Sequence, residues 1–122
     1  EQTIQYVKER KAFGKSIADF QNTQFKIAEM HTKLEVARSY VDRCLELHLK
    51  KELDIPTAAA GKYYITDLQC EVIDECLQLH GGYGYMWEYP IARMFADSRV
   101  QRIYGGTNEI MKTIIAKAVL AD

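Results

Sequence analysis

Apolar positions along this chain recur at steps of three and four, the spacing that buries one face of an α-helix, and nowhere do they alternate in the two-residue rhythm of a strand. The first ten residues carry Ile4 and Val7 on one face with no capping residue ahead of them, so they read as the tail of a helix. Gly14, in the run Lys11–Lys15, breaks that pattern, and Asp19 offers an N-cap for a second helix. This long helix is expected from about Phe20 to Leu53, with Ile27, Met30, Leu34, Ala37, Val41 and Leu45 as its buried stripe. At a rise of about 1.5 Å per residue it would run ~50 Å. That exceeds what so small a domain covers, so part of the helix is expected to pack against another domain or subunit.

Asp54 and Pro56 mark the next start, proline being suited to a first helical turn. The helix they open is expected to reach about His80, with Gly61, Ile65, Leu68, Val72, Cys76 and Leu79 on its inner face. Ala58, Ala59, Ala60 and Gly61 form a small-residue patch that admits a close helix neighbour. Asp67, Glu71, Asp74 and Glu75 read as its solvated face. Tyr83 to Tyr89 is an aromatic loop. Pro90 opens a short helix to about Val100, with Ile91, Met94 and Phe95 inward and Arg93, Asp97 and Arg99 pairing outside. A last helix is expected from Asn108 to about Leu120, burying Met111, Ile114, Ile115, Ala118 and Val119. The class is all-α, an up-and-down four-helix bundle.

Composition narrows the chemistry. The 122 residues suffice for one domain with a buried core. Sixteen basic and seventeen acidic side chains leave a net charge of −1, with no Lys/Arg stripe for nucleic acid. No apolar run is long enough to span a bilayer. Cys44, Cys70 and Cys76 are an odd set inside helical patterns and read as free thiols. His31, His48 and His80 have no metal-ligand spacing, and no Cys pair has the CxxC form.

Two Gly-Gly pairs stand out. Gly81-Gly82 closes a helix, where positive φ lets the chain turn, whereas Gly105-Gly106 precedes Thr107, an N-cap that opens one. Either turn alone reads as helix punctuation. Together they suit close backbone approach at one end and an anion at the other, a cradle for a phosphorylated cofactor.

The segments RKAFGK (Arg10–Lys15), Phe20-Gln21, QLHGGYGY (Gln78–Tyr85) and YGGTNEI (Tyr104–Ile110) occur in this order across nearly the whole chain. In that arrangement the chain resembles the C-terminal helical domain of the acyl-CoA dehydrogenases, and MWEYP with YGGT is most similar to the long-chain type and to bacterial acyl-CoA dehydrogenases. The resemblance implies a longer protein, with a helical domain and a β domain ahead of this one, assembled as a homodimer or homotetramer. It also implies FAD as cofactor and, as reaction, oxidation of a fatty acyl-CoA to the trans-2-enoyl-CoA in β-oxidation. Electrons would pass to electron-transfer flavoprotein, in a mitochondrial matrix or a bacterial cytoplasm.

Carried over by position, Arg10 would meet the FAD pyrophosphate, for which a guanidinium suits better than an ammonium. Gln21 would contact FAD through its amide, and Gln78, Leu79, His80, Gly81 and Gly82 would face the adenosine half. Thr107, Asn108 and Glu109 would approach the cofactor from another side, while Tyr104, Gly105 and Gly106 would border the acyl thioester. Bland readings stand beside these: Arg10 as a solvated helix-end cation, Gln21 as a surface residue, His80 as a cation at a helix C-terminus.

Most relatives place the catalytic glutamate where this chain has Gly105, and glycine cannot take a proton. No catalytic base is therefore expected within the chain. In the long-chain type the glutamate lies on the upstream helix, at a position that falls before Glu1. The chain by itself is expected to lack dehydrogenase activity and to bind flavin weakly at best. Two rival readings remain: a helical oligomerisation module without catalysis, and a flavin monooxygenase or nitroalkane-oxidising relative on the same scaffold.

Overall fold

Helix α3 (Ile55–His80) is the axis about which the others are arranged. The computed structural model describes Glu1–Asp122 and is an all-α bundle. Helices α1 (Gln2–Glu9), α2 (Gln21–Leu49), α4 (Pro90–Ser98) and α5 (Asn108–Val119) each pack against α3. Short 3₁₀ turns lie at Ile17–Asp19, Gly81–Tyr85 and Arg99–Arg102. No helix is long and apolar enough to cross a membrane.

One element departs from the expectation of no strand. Lys11–Ala12 (β1) pairs antiparallel with Lys15–Ser16 (β2), Lys11 opposite Ser16 and Ala12 opposite Lys15. The two residues between them, Phe13 (φ 54°) and Gly14 (φ 80°), both lie at positive φ, which matches the right-handed twist of a two-residue hairpin. Two residues per strand are too few to give a periodic signal, so only Gly14 marks the place. Phe13 is 96% exposed although it is bulky and left-handed.

The caps explain two further shifts. Asp19 does not cap α2; its carboxylate accepts the Ser16 N–H at 3.2 Å and closes the preceding 3₁₀ turn, leaving Phe20 as N-cap without a side-chain bond. Helix α2 ends at Leu49 rather than Leu53. Lys51 takes φ 60°, its N–H bonds to His48 O at 3.0 Å, and the Glu52 N–H bonds to Leu47 O at 2.8 Å. That is a Schellman termination with lysine where glycine usually sits, so composition alone does not flag it. The 29-residue helix is ~44 Å long. At α3 the expected cap holds: Asp54 Oδ1 accepts the Thr57 N–H at 2.7 Å, with Pro56 in the first turn.

Helices α2 and α3 run antiparallel. Lys26 pairs with Glu75 and Lys33 with Glu71, while Tyr40 donates its hydroxyl to Thr57 O at 2.9 Å. Gly61 lets the helices approach: a Cβ there would stand 3.2 Å from the Tyr40 ring. Asp67, Glu71 and Glu75 are thus not a purely solvated face, because α2 and Arg102 supply cations opposite them. Arg93, Asp97 and Arg99 form no ion pairs, and Arg93 instead donates to Trp87 O at 2.6 Å. The three thiols are free and half-buried, Cys76 lying 3.8 Å from the Met30 sulfur.

The core is small. Only 14 of 122 residues are buried, the apolar ones being Val7, Met30, Ala37, Ala59, Leu68, Ile91 and Ala92. On α2 just Thr23, Met30 and Ala37 are buried, seven apart, while Leu34, Val41 and Leu45 of the expected stripe are exposed. Met94 and Phe95 on α4 and Ala118 and Val119 on α5 are likewise exposed, against expectation. Helical periodicity marks which face is apolar; whether anything covers it depends on neighbours. The accessible surface is 8724 Å², whereas a compact monomer of this mass has about 6,700 Å². Large apolar side chains are among what is exposed, with Leu34, Val36, Val41, Leu45 and Leu49 on α2 all uncovered inside the chain.

Candidate functional site

The first Gly-Gly turn opens onto a groove of about 740 Å³ between the C-terminus of α3 and the segment after α1. Arg10, Gln78, Leu79, His80, Gly81 and Gly82 all line it, together with Tyr6, Ala12, Ile17, Tyr83 and Met86. Two stretches 68 residues apart in sequence are thereby brought to one place, and this juxtaposition needed the tertiary fold.

Each wall has a physical cause. The chain leaves α1 at Arg10 in extended geometry (φ −73°, ψ 127°), with the Arg10 carbonyl held by the Ile17 N–H at 2.9 Å. The guanidinium rests 5.1 Å from the centre of the Tyr83 ring and forms no salt bridge, so an aromatic face steadies it while its donors stay free. Across the groove Gly81 sits at φ 60°, and a Cβ on Gly81 or Gly82 would meet nothing within 4 Å, so the backbone there is open to a ligand. Gly84 is required for packing instead, since a Cβ would lie 2.4 Å from Leu77 O.

An aromatic cluster backs this wall. Tyr6 stacks on the His80 ring at 4.2 Å and donates its hydroxyl to His80 O at 3.1 Å. His80 is buried, and its Nδ1 lies 2.8 Å from Cys76 O; a carbonyl only accepts, so Nδ1 carries the hydrogen. Tyr89 meets both rings edge-on at 6.3 Å. Burial pushes the Tyr6 phenol above its ordinary pKa, and the neighbouring Arg10 charge partly offsets this. His80 is therefore a packed wall residue. Tyr6, Ile17, Tyr83 and Met86 are lining residues the motifs did not single out. Tyr83 lies inside the QLHGGYGY segment, but Tyr6 meets His80 across 74 residues and left no local signal.

The second turn lies elsewhere. Gly105 (φ 65°) and Gly106 (φ 88°) are exposed, and Thr107 Oγ1 caps α5 by accepting the Ile110 N–H at 3.3 Å. Asn108 is 3% exposed, and its amide is spent on α3: Nδ2 donates to Thr66 Oγ1 at 2.9 Å and Asp67 Oδ1 at 2.7 Å, and Oδ1 accepts from Lys62 at 2.7 Å. The Asn108 side chain is thus committed to the packing of α5 on α3. Glu109 and Tyr104 are exposed. Thr66 and Gln78 are twelve residues apart on α3, so the two turns are separated by ~18 Å along the helix. Gln21 is exposed at the start of α2 and does not line the Arg10 groove. One chain brings together Arg10 with Gln78–Gly82, but not these with Gln21 or with Tyr104–Glu109.

An exposed guanidinium beside an open glycine backbone and an aromatic floor suits a phosphorylated, planar-ringed ligand. A Cβ on Gly105 would meet nothing within 4 Å. Asp67 is held by Arg102 and Asn108, and Glu109 lies past the α5 cap.

These features define an all-α domain with an open groove at the end of its central helix, and comparison with known proteins gives its family. The family model described as "Acyl-CoA dehydrogenase, C-terminal domain" matches residues 1–120, and the chain belongs to that family. It is 56% identical over all 122 residues to mouse long-chain specific acyl-CoA dehydrogenase, mitochondrial, covering 28% of that protein. It is 42% identical over 120 residues to the caffeyl-CoA reductase-Etf complex subunit CarC of Acetobacterium woodii, covering 98% of this chain and 32% of that one. The crystal structure of acyl-CoA dehydrogenase from Geobacillus kaustophilus superposes with a TM-score of 0.95 at 48% identity, covering 98% of this chain and 31% of that chain. The chain thus spans about three-tenths of the length of such relatives.

Proposed function

We propose that this chain is the C-terminal, FAD-contacting and assembly-forming domain of a long-chain-type acyl-CoA dehydrogenase, which converts a fatty acyl-CoA to the trans-2-enoyl-CoA in β-oxidation. The single observation that carries the reading is the meeting of Arg10 with Gln78–Gly82 in one groove. Arg10 binds the pyrophosphate by bidentate, charge-assisted hydrogen bonds, and Gln78–Gly82 present backbone to the adenosine half. Thr107, Asn108 through its backbone, and Glu109 serve the cofactor at the other turn, with Gln21 at the head of α2. Because these groups lie apart, Arg10 with Gln78–Gly82 at one end of α3, Thr107–Glu109 ~18 Å along it and Gln21 at the head of α2, a complete seat forms only when a second protomer joins them. The unpartnered apolar face of α2 and the excess accessible surface support a homodimer or homotetramer.

Tyr104, Gly105 and Gly106 border the acyl thioester. FAD, when bound, supplies the acceptor for the hydride leaving the β-carbon. The α-proton goes to a glutamate outside these 122 residues, since Gly105 has no side chain to take it. Electron-transfer flavoprotein is the proposed oxidant of the reduced enzyme. The mitochondrial names of the mammalian relatives favour a matrix location, with a bacterial cytoplasm as the alternative.

The test uses the full-length parent. Wild-type protein is expected to purify with FAD and to oxidise palmitoyl-CoA with a ferrocenium acceptor. Arg10→Lys is expected to weaken FAD binding about tenfold, the cost of trading a bidentate fork for a point charge. Retention of full FAD affinity by Arg10→Lys and Arg10→Ala would refute the Arg10 assignment. The 122-residue chain alone is expected to show no turnover.

A further inference from the structure

The turn between Arg102 and Asn108 has little of its own to hold it. Gly105 and Gly106 both sit at positive φ, with no side chain to anchor them. The only hydrogen bond either glycine makes is accepted by Gly106 O, from the Lys62 ammonium at 2.8 Å. The same ammonium donates to Asn108 Oδ1 at 2.7 Å, and Asn108 passes the connection to Asp67 through Nδ2 at 2.7 Å. Asp67 Oδ1 also accepts from Arg102 Nε at 2.7 Å. Arg102 precedes the turn and Asn108 comes after it, so a continuous polar relay on α3 grips the turn from both flanks. Within the relay only Lys62 touches the turn itself, and its bonds are charge-assisted.

We propose that Lys62 is a positioning residue: by holding the Gly106 carbonyl from α3 it fixes the Gly105-Gly106 backbone at the place where the acyl thioester is bound. This rests on the dehydrogenase reading of the chain. Lys62 reaches the reaction only through the turn. Loosening a surface that orients the reacting carbons costs rate more than affinity, because misplacement by a fraction of an ångström lowers the population of reactive geometries.

The experiment compares Lys62→Met, Lys62→Arg and Lys112→Met in the full-length holoprotein. Methionine keeps length and helix propensity while removing the charge and donors. Lys112 is a neighbouring α5 lysine that lies over the Tyr63 ring and does not touch the turn. Lys62→Met is expected to lower kcat for palmitoyl-CoA about tenfold with a smaller change in KM. FAD content is expected to match wild type, and amide exchange over residues 103–107 to speed up while that of α3 does not. Lys62→Arg recovers most of the rate, and Lys112→Met matches wild type. The proposal is overturned if Lys62→Met keeps wild-type kcat, if exchange at the turn is unchanged, or if Lys62→Arg falls as far as Lys62→Met. Should Lys62→Met fail to fold, Lys62→Gln, which keeps one donor, takes its place under the same criteria. A wild-type parent that oxidises no acyl-CoA sinks the dehydrogenase reading instead, while the exchange measurement still judges the hold of Lys62 on the turn.

Discussion

The two Gly-Gly turns use the same dipeptide and are held by opposite means. Gly81-Gly82 lies just past the C-terminus of α3 and is framed by rings: Tyr6 on His80, Tyr83 under Arg10, Tyr89 edge-on to both Tyr6 and His80. Gly105-Gly106 precedes the N-terminus of α5 and is framed by charge: Lys62, Asp67 and Arg102 joined by one buried amide. Shape fixes the first and leaves Arg10 free, whereas hydrogen bonds fix the second and leave little side-chain chemistry exposed. A glycine turn's rigidity thus lies in its neighbours. Glycine permits the conformation without selecting it.

Substitutions can break this contrast, beginning with the largest effect. Gly84→Ala sets a methyl 2.4 Å from Leu77 O, a backbone atom that cannot move aside, and is expected to cost about 3 kcal/mol in urea unfolding, with loss of the aromatic frame. A mutant as stable as wild type would mean that the ring-framed turn is not sterically locked. Asn108→Ala leaves Lys62 and Asp67 each short of a buried partner and is expected to cost about 2 kcal/mol, seen as a lower unfolding midpoint. Comparable stability would show that charge does not frame the second turn.

A smaller contrast concerns the glycines themselves. Gly105→Ala forces a side chain to φ 65° in otherwise open space and should cost about 1 kcal/mol, while Gly82→Ala, with open space and no positive φ, should change stability by less than about 0.5 kcal/mol. Equal costs by thermal denaturation would contradict the backbone reading. The smallest effect lies at the other end of α3. The Thr57 backbone N–H holds the Asp54 carboxylate below its ordinary pKa. A depressed folded pKa means that the cap's contribution is complete above the unfolded carboxylate pKa and fades as pH falls through the folded one. Asp54→Asn keeps an N-cap without the titration, so the stability difference between wild type and this variant should shrink between pH 7 and pH 3. A difference independent of pH would show that the Asp54 charge contributes nothing.

Legibility in the sequence tracks the range of the interaction. Pro56, Asp54, Pro90, Thr107 and the Gly pairs act within one helical turn, and the helices begin and end near them. Asp19 and Lys51 defeat a local reading because two local options compete: Asp19 closes a 3₁₀ turn in place of capping α2, and Lys51 adopts a left-handed C′ conformation that glycine usually takes. Of the candidate site, the RKAFGK and QLHGGYGY segments are visible as motifs, but Tyr6, Ile17 and Met86 are not, because each joins the groove through contacts that no short window contains.

Hydrophobic spacing and helix punctuation, which depend on backbone geometry over three or four residues, determined that this chain is a set of helices broken at Gly14, Asp54–Pro56 and the two glycine pairs. Tertiary structure decided which distant groups meet, Tyr6 with His80, Arg10 with Tyr83 and Lys62 with Gly106, and which of the apolar faces stay uncovered. The physical reason is that periodicity specifies an apolar face but carries no information about what lies opposite it; that is settled only when chain segments tens of residues apart compete to bury the same surface.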